Sequence, residues 1–361
     1  MRNDRIDPVT IEQLFQATLF IEDSESFVSN IEMLHHLYLQ LKLGSKEALP
    51  EVNLETLANG AYYLSALATT PIRKASLQEQ QLLTDAFYVA ALIFEYLGDL
   101  ARQSEAYGDV LESSYLYYLD ACICNTLSIY ESNSMTIARK RLLSEGTLKE
   151  IIDGFEPNDV TRLCQSVCYT WLGRDFRTLW WYERRVIRNL DIVLQETKEK
   201  VTPTVWLEID FWVTLCQALF LHARYFESGK SEFKLKAERM FKDAKKVANE
   251  HRNPDYYWTL CALQECANKM YKNSVWKLLE DKLPQTYIRS LVSRTPPTFE
   301  LWASQKQALL SGEELELKSG YLDDRIRRIL INMPTSAGKR LIAEMAIVKT
   351  LFTDKAMDES L

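Results

Sequence analysis

The sequence predicts a mainly α-helical protein: an irregular, solenoid-like helical array followed by one strand–turn–helix unit of α/β type near the C-terminal end. Three observations point there. Glycine and proline are sparse, 11 and 10 in 361 residues, which favours long helices over a turn-rich β fold. Before residue 299 the apolar residues recur at helical spacing. After it, Arg328–Met333 (RILINM) reads as a buried strand, Pro334–Arg340 (PTSAGKR) as a sharp turn and Leu341–Phe352 (LIAEMAIVKTLF) as a helix.

Taken in order, Thr10–Ile21 is the first predicted helix. Asp23 or Ser24 caps a second that stops at Gly44, with Phe27, Ile31, Leu34, Tyr38 and Leu41 on one stripe. Leu54–Thr69 is the third. Leu77–Leu97 is apolar nearly all round at AFYVAALIF, so it belongs in the middle of a helical stack. Tyr107–Tyr130 has the same character, and Ser132–Leu143 is short and polar. A break is expected at 154–158 (GFEPN). Asp159–Trp171 and Thr178–Lys198 follow, separated by Gly173. Thr202 then caps a helix with Pro203 at its first position, running to Phe226. Lys230–His251 and Pro254–Lys272 complete the array. No strict repeat period is present, so the likeness to helical-repeat solenoids is one of composition. Pro296-Pro297 enforces an extended linker. The expected domains are therefore 1–295, with a subdivision near 154–158, and 296–361.

The formal charge of −7 argues against a protein that coats nucleic acid by bulk electrostatics, while leaving room for a local basic groove. Seven scattered cysteines, an odd number without zinc-ribbon spacing, read as core-packing thiols kept reduced in a cytoplasm. The four histidines form no metal motif, so no metal ligand is assigned. The N-terminus is charged rather than apolar. The longest apolar stretch, Val205–Phe226, is interrupted by Glu208, Asp210, His222 and Arg224. A cytoplasmic protein that does not engage a membrane is the expectation.

The strand–turn–helix unit carries the chemistry. Backbone N–H groups of a Gly-Lys turn point at phosphate oxygens, and the following helix N-terminus adds partial positive charge. Lys339 would supply a full charge to the β- and γ-phosphates of ATP, with Thr335, Ser336, Ala337 and Gly338 cradling them. Two positions depart from the Walker pattern. Met333 replaces the leading glycine. Arg340 stands where a Ser or Thr hydroxyl would bind Mg²⁺, and a guanidinium is always protonated and ligates no cation.

The stretch MPTSAGK resembles motif I of superfamily-two helicases, and Gln305, within Glu300–Ala308, resembles the glutamine that reads the adenine edge ahead of that motif. Phe299–Phe352 together resembles the start of a DExH-type helicase motor of the superkiller-like and bacterial phage-defence kind. The resemblance implies a RecA-like lobe, ATP with Mg²⁺ in the parent family, and DNA or RNA as the polymer acted on. Such a motor also needs an acidic motif and a second lobe with arginine fingers. The residues after Phe352 hold no such motif. The sequence thus reads as an N-terminal region ended shortly after motif I, with no catalytic residue assigned, weak or absent ATP binding and no hydrolysis. The alternative is a helical scaffold that docks a partner subunit and carries a vestigial motor remnant.

Two further constellations stand out. Trp180, Trp181 and Tyr182 adjoin Arg184, Arg185 and Arg188, a mixture that stacks on and neutralises a single strand. The plainer expectation is buried tryptophans with solvated or paired arginines. The helix Lys230–Arg252 is the most basic in the chain, and its lysines are expected to form a solvated face.

Overall fold

The computed structural model describes residues 58, 60–62, 65, 86–98, 110–131, 160–196, 203–251, 254–310, 320–322 and 338–358. Every regular element among the described residues is helical, and the one β-type pairing there is the antiparallel bridge between Ser274 and Glu300. The predicted strand Arg328–Met333, residues 334–337 of the turn, the first two predicted helices, Ser132–Leu143 and the break at 154–158 all lie outside the described residues. The chain divides into two compact units.

The first unit comprises Met1–Ser132, Lys140–Phe220 and Ala237–Cys266. Helix α1 (Ala86–Gly98) is buried along its whole length, as an element without a polar stripe must be. Gly98 lets the ring of Tyr118 from α2 (Val110–Glu131) approach; a Cβ there would lie 2.6 Å from that ring. Helix α3 (Val160–Leu172) packs on both α2 and α4 (Phe176–Glu196). Between α3 and α4 the left-handed residue is Arg174 (φ 58°), not the Gly173 that marks the break in sequence. Its guanidinium donates to the Leu172 carbonyl and to the Tyr130 hydroxyl, which hold it in that conformation. Asp175 caps α4, accepting the Thr178 N–H at 3.2 Å and its hydroxyl at 2.7 Å.

Helix α5 (Pro203–Ser228) begins at the predicted proline and runs two residues past the predicted end at Phe226, with Glu208, Asp210, His222 and Arg224 along it. Among the described residues it is the helix long and apolar enough to cross a membrane, yet 56% of the apolar window is buried in the structure. Phe211, Trp212, Leu215, Cys216 and Leu219 form core with Trp171 and Val167 in this unit. The Cys216 thiol donates to the Cys164 carbonyl at 3.3 Å, and burial pushes it up from the ordinary thiol range. Six of the seven cysteines are buried, in accord with a packing role. Helices α6 (Ser231–His251) and α7 (Pro254–Asn273) follow within one residue of the predicted boundaries.

One group in this core is out of place by polarity. Asp120, in the middle of α2, is fully buried beside Tyr62, whose ring packs edge-on against Phe94 and Trp258. The Tyr62 hydroxyl donates to one carboxyl oxygen at 3.2 Å and the Thr259 hydroxyl to the other at 3.3 Å. Burial pushes the Asp120 carboxyl well above the carboxylate range; the Tyr62 and Thr259 hydrogen bonds oppose the shift and Asp255 adds to it.

The second unit comprises Asn133–Arg139, Leu221–Lys236 and Ala267–Leu361. At the end of α5, Gly229 takes φ 74°, and the Trp276 indole lies where its Cβ would be, at 2.6 Å. Trp276, in α8 (Val275–Leu279), donates its ring N–H to the Phe226 carbonyl at 2.7 Å. Ser274 caps α8 by accepting the Trp276 backbone N–H. Helix α9 (Gln285–Ser293) leads to the extended segment around Pro296 and Pro297, then α10 (Ala303–Leu309) and α11 (Lys339–Asp358).

Two stability measurements test this description. Gly229→Ala forces a side chain into the left-handed region, at about 1–2 kcal/mol, and onto the Trp276 ring; its Tm is expected to fall by several degrees, and a change within error would contradict the packing. For Asp120, a folded pKa above the unfolded one means that the stabilisation by the protonated carboxyl is full below about pH 3.9 and is lost as pH rises through the folded value. Asp120→Asn is therefore expected to raise Tm at pH 8, with the advantage shrinking toward pH 4. A difference in Tm that does not vary with pH would contradict it.

Candidate nucleotide-binding site

The site begins with backbone pairing. The turn after α7 meets the extended segment after Pro297: the Val275 N–H donates to the Phe299 carbonyl at 3.0 Å and the Leu301 N–H to the Asn273 carbonyl at 2.9 Å. Phe299 is buried edge-on to Phe226, with ring centroids 6.1 Å apart, and Leu301 is fully buried. Those two apolar anchors set the direction in which the chain enters α10. The Thr298 N–H, donated to the Leu291 carbonyl at 2.8 Å, ties the same segment to α9.

Gln305 lies in the first turn of α10 and is buried, 4% exposed. Its Oε1 accepts the Trp302 backbone N–H at 2.9 Å, one half of a capping box; Trp302 has no oxygen to supply the other half. The carboxamide orientation follows from that bond, and Nε2 is thereby turned toward Gly338. A Cβ on Gly338 would lie 2.2 Å from Nε2 and 3.6 Å from the Trp302 ring. Gly338 takes φ 80°, so glycine is required there twice, by conformation and by space. Lys306, next in α10, donates to the Asn273 side chain at 2.5 Å and fastens α10 to the turn that carries the bridge.

Helix α11 starts at Lys339, two residues earlier than the predicted Leu341, because the left-handed Gly338 is itself the break. Lys339 and Arg340 are exposed in its first turn, where helix N–H groups have no intrahelical acceptor and the dipole favours anions. Leu341, Ile342 and Met345 form its buried face. The Arg294 guanidinium donates to the Thr298 hydroxyl at 2.6 Å and pairs with Glu344 at 3.4 Å. The pair is partly exposed, so it orients more than it stabilises. Burial pushes the Tyr287 phenol up, and the nearby Glu344 carboxylate adds to the rise. At the other end of α10, Gly320 lies against the Leu309–Leu310 backbone, and Lys349 of α11 donates to the Tyr321 carbonyl at 2.8 Å.

Of the residues singled out from sequence, Gln305 and Gly338 are brought into contact and Lys339 and Arg340 follow directly. Thr335, Ser336 and Ala337 lie outside the described residues. Trp302, Asn273 and Arg294 were missed as positioning groups. Trp302 had a signal in its place three residues before Gln305; Asn273 and Arg294 act through partners distant in sequence and had none.

No protein-family model matches the chain. The chain is 29% identical over 138 residues to Hachiman protein HamB of Bacillus cereus. That alignment takes in 37% of this chain and spans 11% of the relative's length.

The Gln305–Gly338 contact makes a pairwise prediction. Gly338→Ala is expected to destabilise the chain strongly in the native background and less when Gln305→Ala clears the space. A double-mutant cycle in urea would then give a coupling of about 0.5–3 kcal/mol. Strict additivity would show that the two residues are not in contact.

Proposed function

We propose that residues 299–352 open the ATPase lobe of a DExH-type helicase, and that the chain derives from a helicase-related protein of anti-phage defence. The observation that carries this reading is the contact of Gln305 with a left-handed Gly338 immediately ahead of an exposed Lys339 at a helix N-terminus. A chance Gly-Lys turn would have no reason to meet a buried glutamine from a separate helix. The similarity to Hachiman protein HamB supports the same direction.

In this reading Gly338 and the first-turn N–H groups of α11 approach the phosphates, Lys339 neutralises them and the Gln305 side faces the base. ATP with Mg²⁺ supplies the phosphoryl chemistry in the parent family. Arg340 offers a second positive charge to phosphate but no oxygen to a metal, so binding is separated from hydrolysis in this chain. A second feature fits an ATPase lobe of which only part is described: α11 is apolar on two sides. Leu341, Ile342 and Met345 are covered, while Ile347 and Leu351, on the far side, are 62% and 61% exposed. A helix with two apolar stripes expects neighbours on both, and further elements of a nucleotide-binding lobe would supply the second. DNA or RNA is the polymer proposed for the parent motor.

Calorimetry with ATP and ADP is expected to give weak binding that Lys339→Ala abolishes and that Gln305→Ala weakens by about tenfold, the loss of roughly one hydrogen-bonding interaction. Turnover is expected to be absent in the unmodified chain. Robust ATP hydrolysis by it, or undiminished binding by Lys339→Ala, would overturn the reading.

A further inference from the structure

The expectation of buried tryptophans on α4 is met by neither indole in full. Trp180 is half-buried beside Phe220, with ring centroids 6.4 Å apart. Trp181 is 50% exposed. The Arg185 guanidinium lies over its ring, 4.4 Å from the centroid, and Tyr182 meets it edge-on at 4.9 Å. At about 100° per residue, Arg177, Trp181, Arg184, Arg185 and Arg188 fall within an arc of about 100°. Arg177, Arg184 and Arg188 are exposed and Arg185 is half-buried against the indole. The stripe is about 16 Å long at 1.5 Å per residue. The opposite side of the helix, with Leu179 and Val186, is buried in the core of the first unit.

Among the described residues, no carboxylate pairs with Arg184 or Arg188. Asp175 is engaged in capping through Thr178. Glu183 lies about 160° from Trp181 around the helix. Asp191 flanks only the C-terminal edge. The basic helix α6 differs: Lys246 pairs with Asp243 at 2.8 Å, and Lys234 and Lys245 lie over the Tyr271 and Tyr257 rings at 3.8 and 5.0 Å. Lys236 lies over the half-buried Phe233 ring at 5.9 Å.

We propose that the outward face of α4 binds single-stranded nucleic acid, with Trp181 stacking on an unpaired base and Arg184 and Arg188 meeting its phosphates. A local run of positive charge on a chain of net charge −7 is complementary to a polyanion. An exposed indole backed by a guanidinium is a stacking platform that paired bases cannot use. Arginine, permanently charged and forked, suits phosphate better than lysine does. This face is formed by residues of the first unit, shares none with the nucleotide site and does not rest on the nucleotide reading.

Fluorescence anisotropy of the 361-residue chain with labelled oligothymidine, oligouridine and a duplex of equal length tests it. The single strands are expected to bind and to weaken with salt, with a log–log slope of about −1.4 for two phosphates. Arg184→Glu with Arg188→Glu should weaken binding more than tenfold. Trp181→Ala should weaken it about tenfold with the slope unchanged. Lys242→Glu with Lys246→Glu on α6 should leave it intact. Circular dichroism checks that the surface variants stay folded. Absence of binding at low salt, equal affinity for duplex, or full binding by the Arg184/Arg188 variant would each overturn the proposal. ATP binding should be indifferent to the α4 variants, so the failure of one site is separable from that of the other.

Discussion

Within the second unit, the geometry of the candidate site depends on two backbone hydrogen bonds between Asn273–Val275 and Phe299–Leu301. They hold an extended, proline-containing segment against a helix turn, which an isolated strand could not do for itself. Because Phe299 and Leu301 are buried on either side of Glu300, the register of this pairing cannot slip by one residue without exposing both. With the register set, α10 starts at a defined point, and Gln305 is aimed by its own bond to the Trp302 N–H. The contact with Gly338 follows from that chain of constraints rather than from any strong attraction between the two residues.

The same economy appears at Gly229. A left-handed glycine ends α5, the Trp276 indole fills the space that a side chain would take, and its N–H satisfies the Phe226 carbonyl at the end of the helix. Helix termination and core packing are met by one residue pair. In both places a glycine is required by positive φ and by a close neighbour together, so substitution there is resisted for two independent reasons.

Helix positions were readable from sequence because apolar periodicity and capping residues are local: Pro203 and Pro254 begin helices, and the AFYVAALIF run lies in a helix buried all round. The turn of the candidate site was readable to within two residues, since Gly338 is its natural break. What stayed hidden depends on partners far along the chain. Asp120 is bonded to Tyr62 and Thr259, 58 and 139 residues away, and nothing near Asp120 foretells them. Adjacent tryptophans at 180 and 181 point about 100° apart, but sequence alone does not say which faces the core. The charges within Val205–Phe226 suggested a stretch too interrupted to cross a membrane; by length and composition α5 could cross one, but 56% of its apolar window is buried in the structure, and Glu208 accepts the Tyr256 hydroxyl.

Hydrogen–deuterium exchange with and without saturating ADP reads the central assignment most directly, since it reports backbone N–H groups rather than side chains. If the turn is a phosphate cradle, ADP should slow exchange at the first-turn amides of α11, Lys339 to Ile342, and in the neighbouring turn of α10 around Gln305, while α3 and α4 remain unchanged. Unaltered exchange at Lys339–Ile342 under conditions where ADP binds elsewhere on the chain would contradict the account.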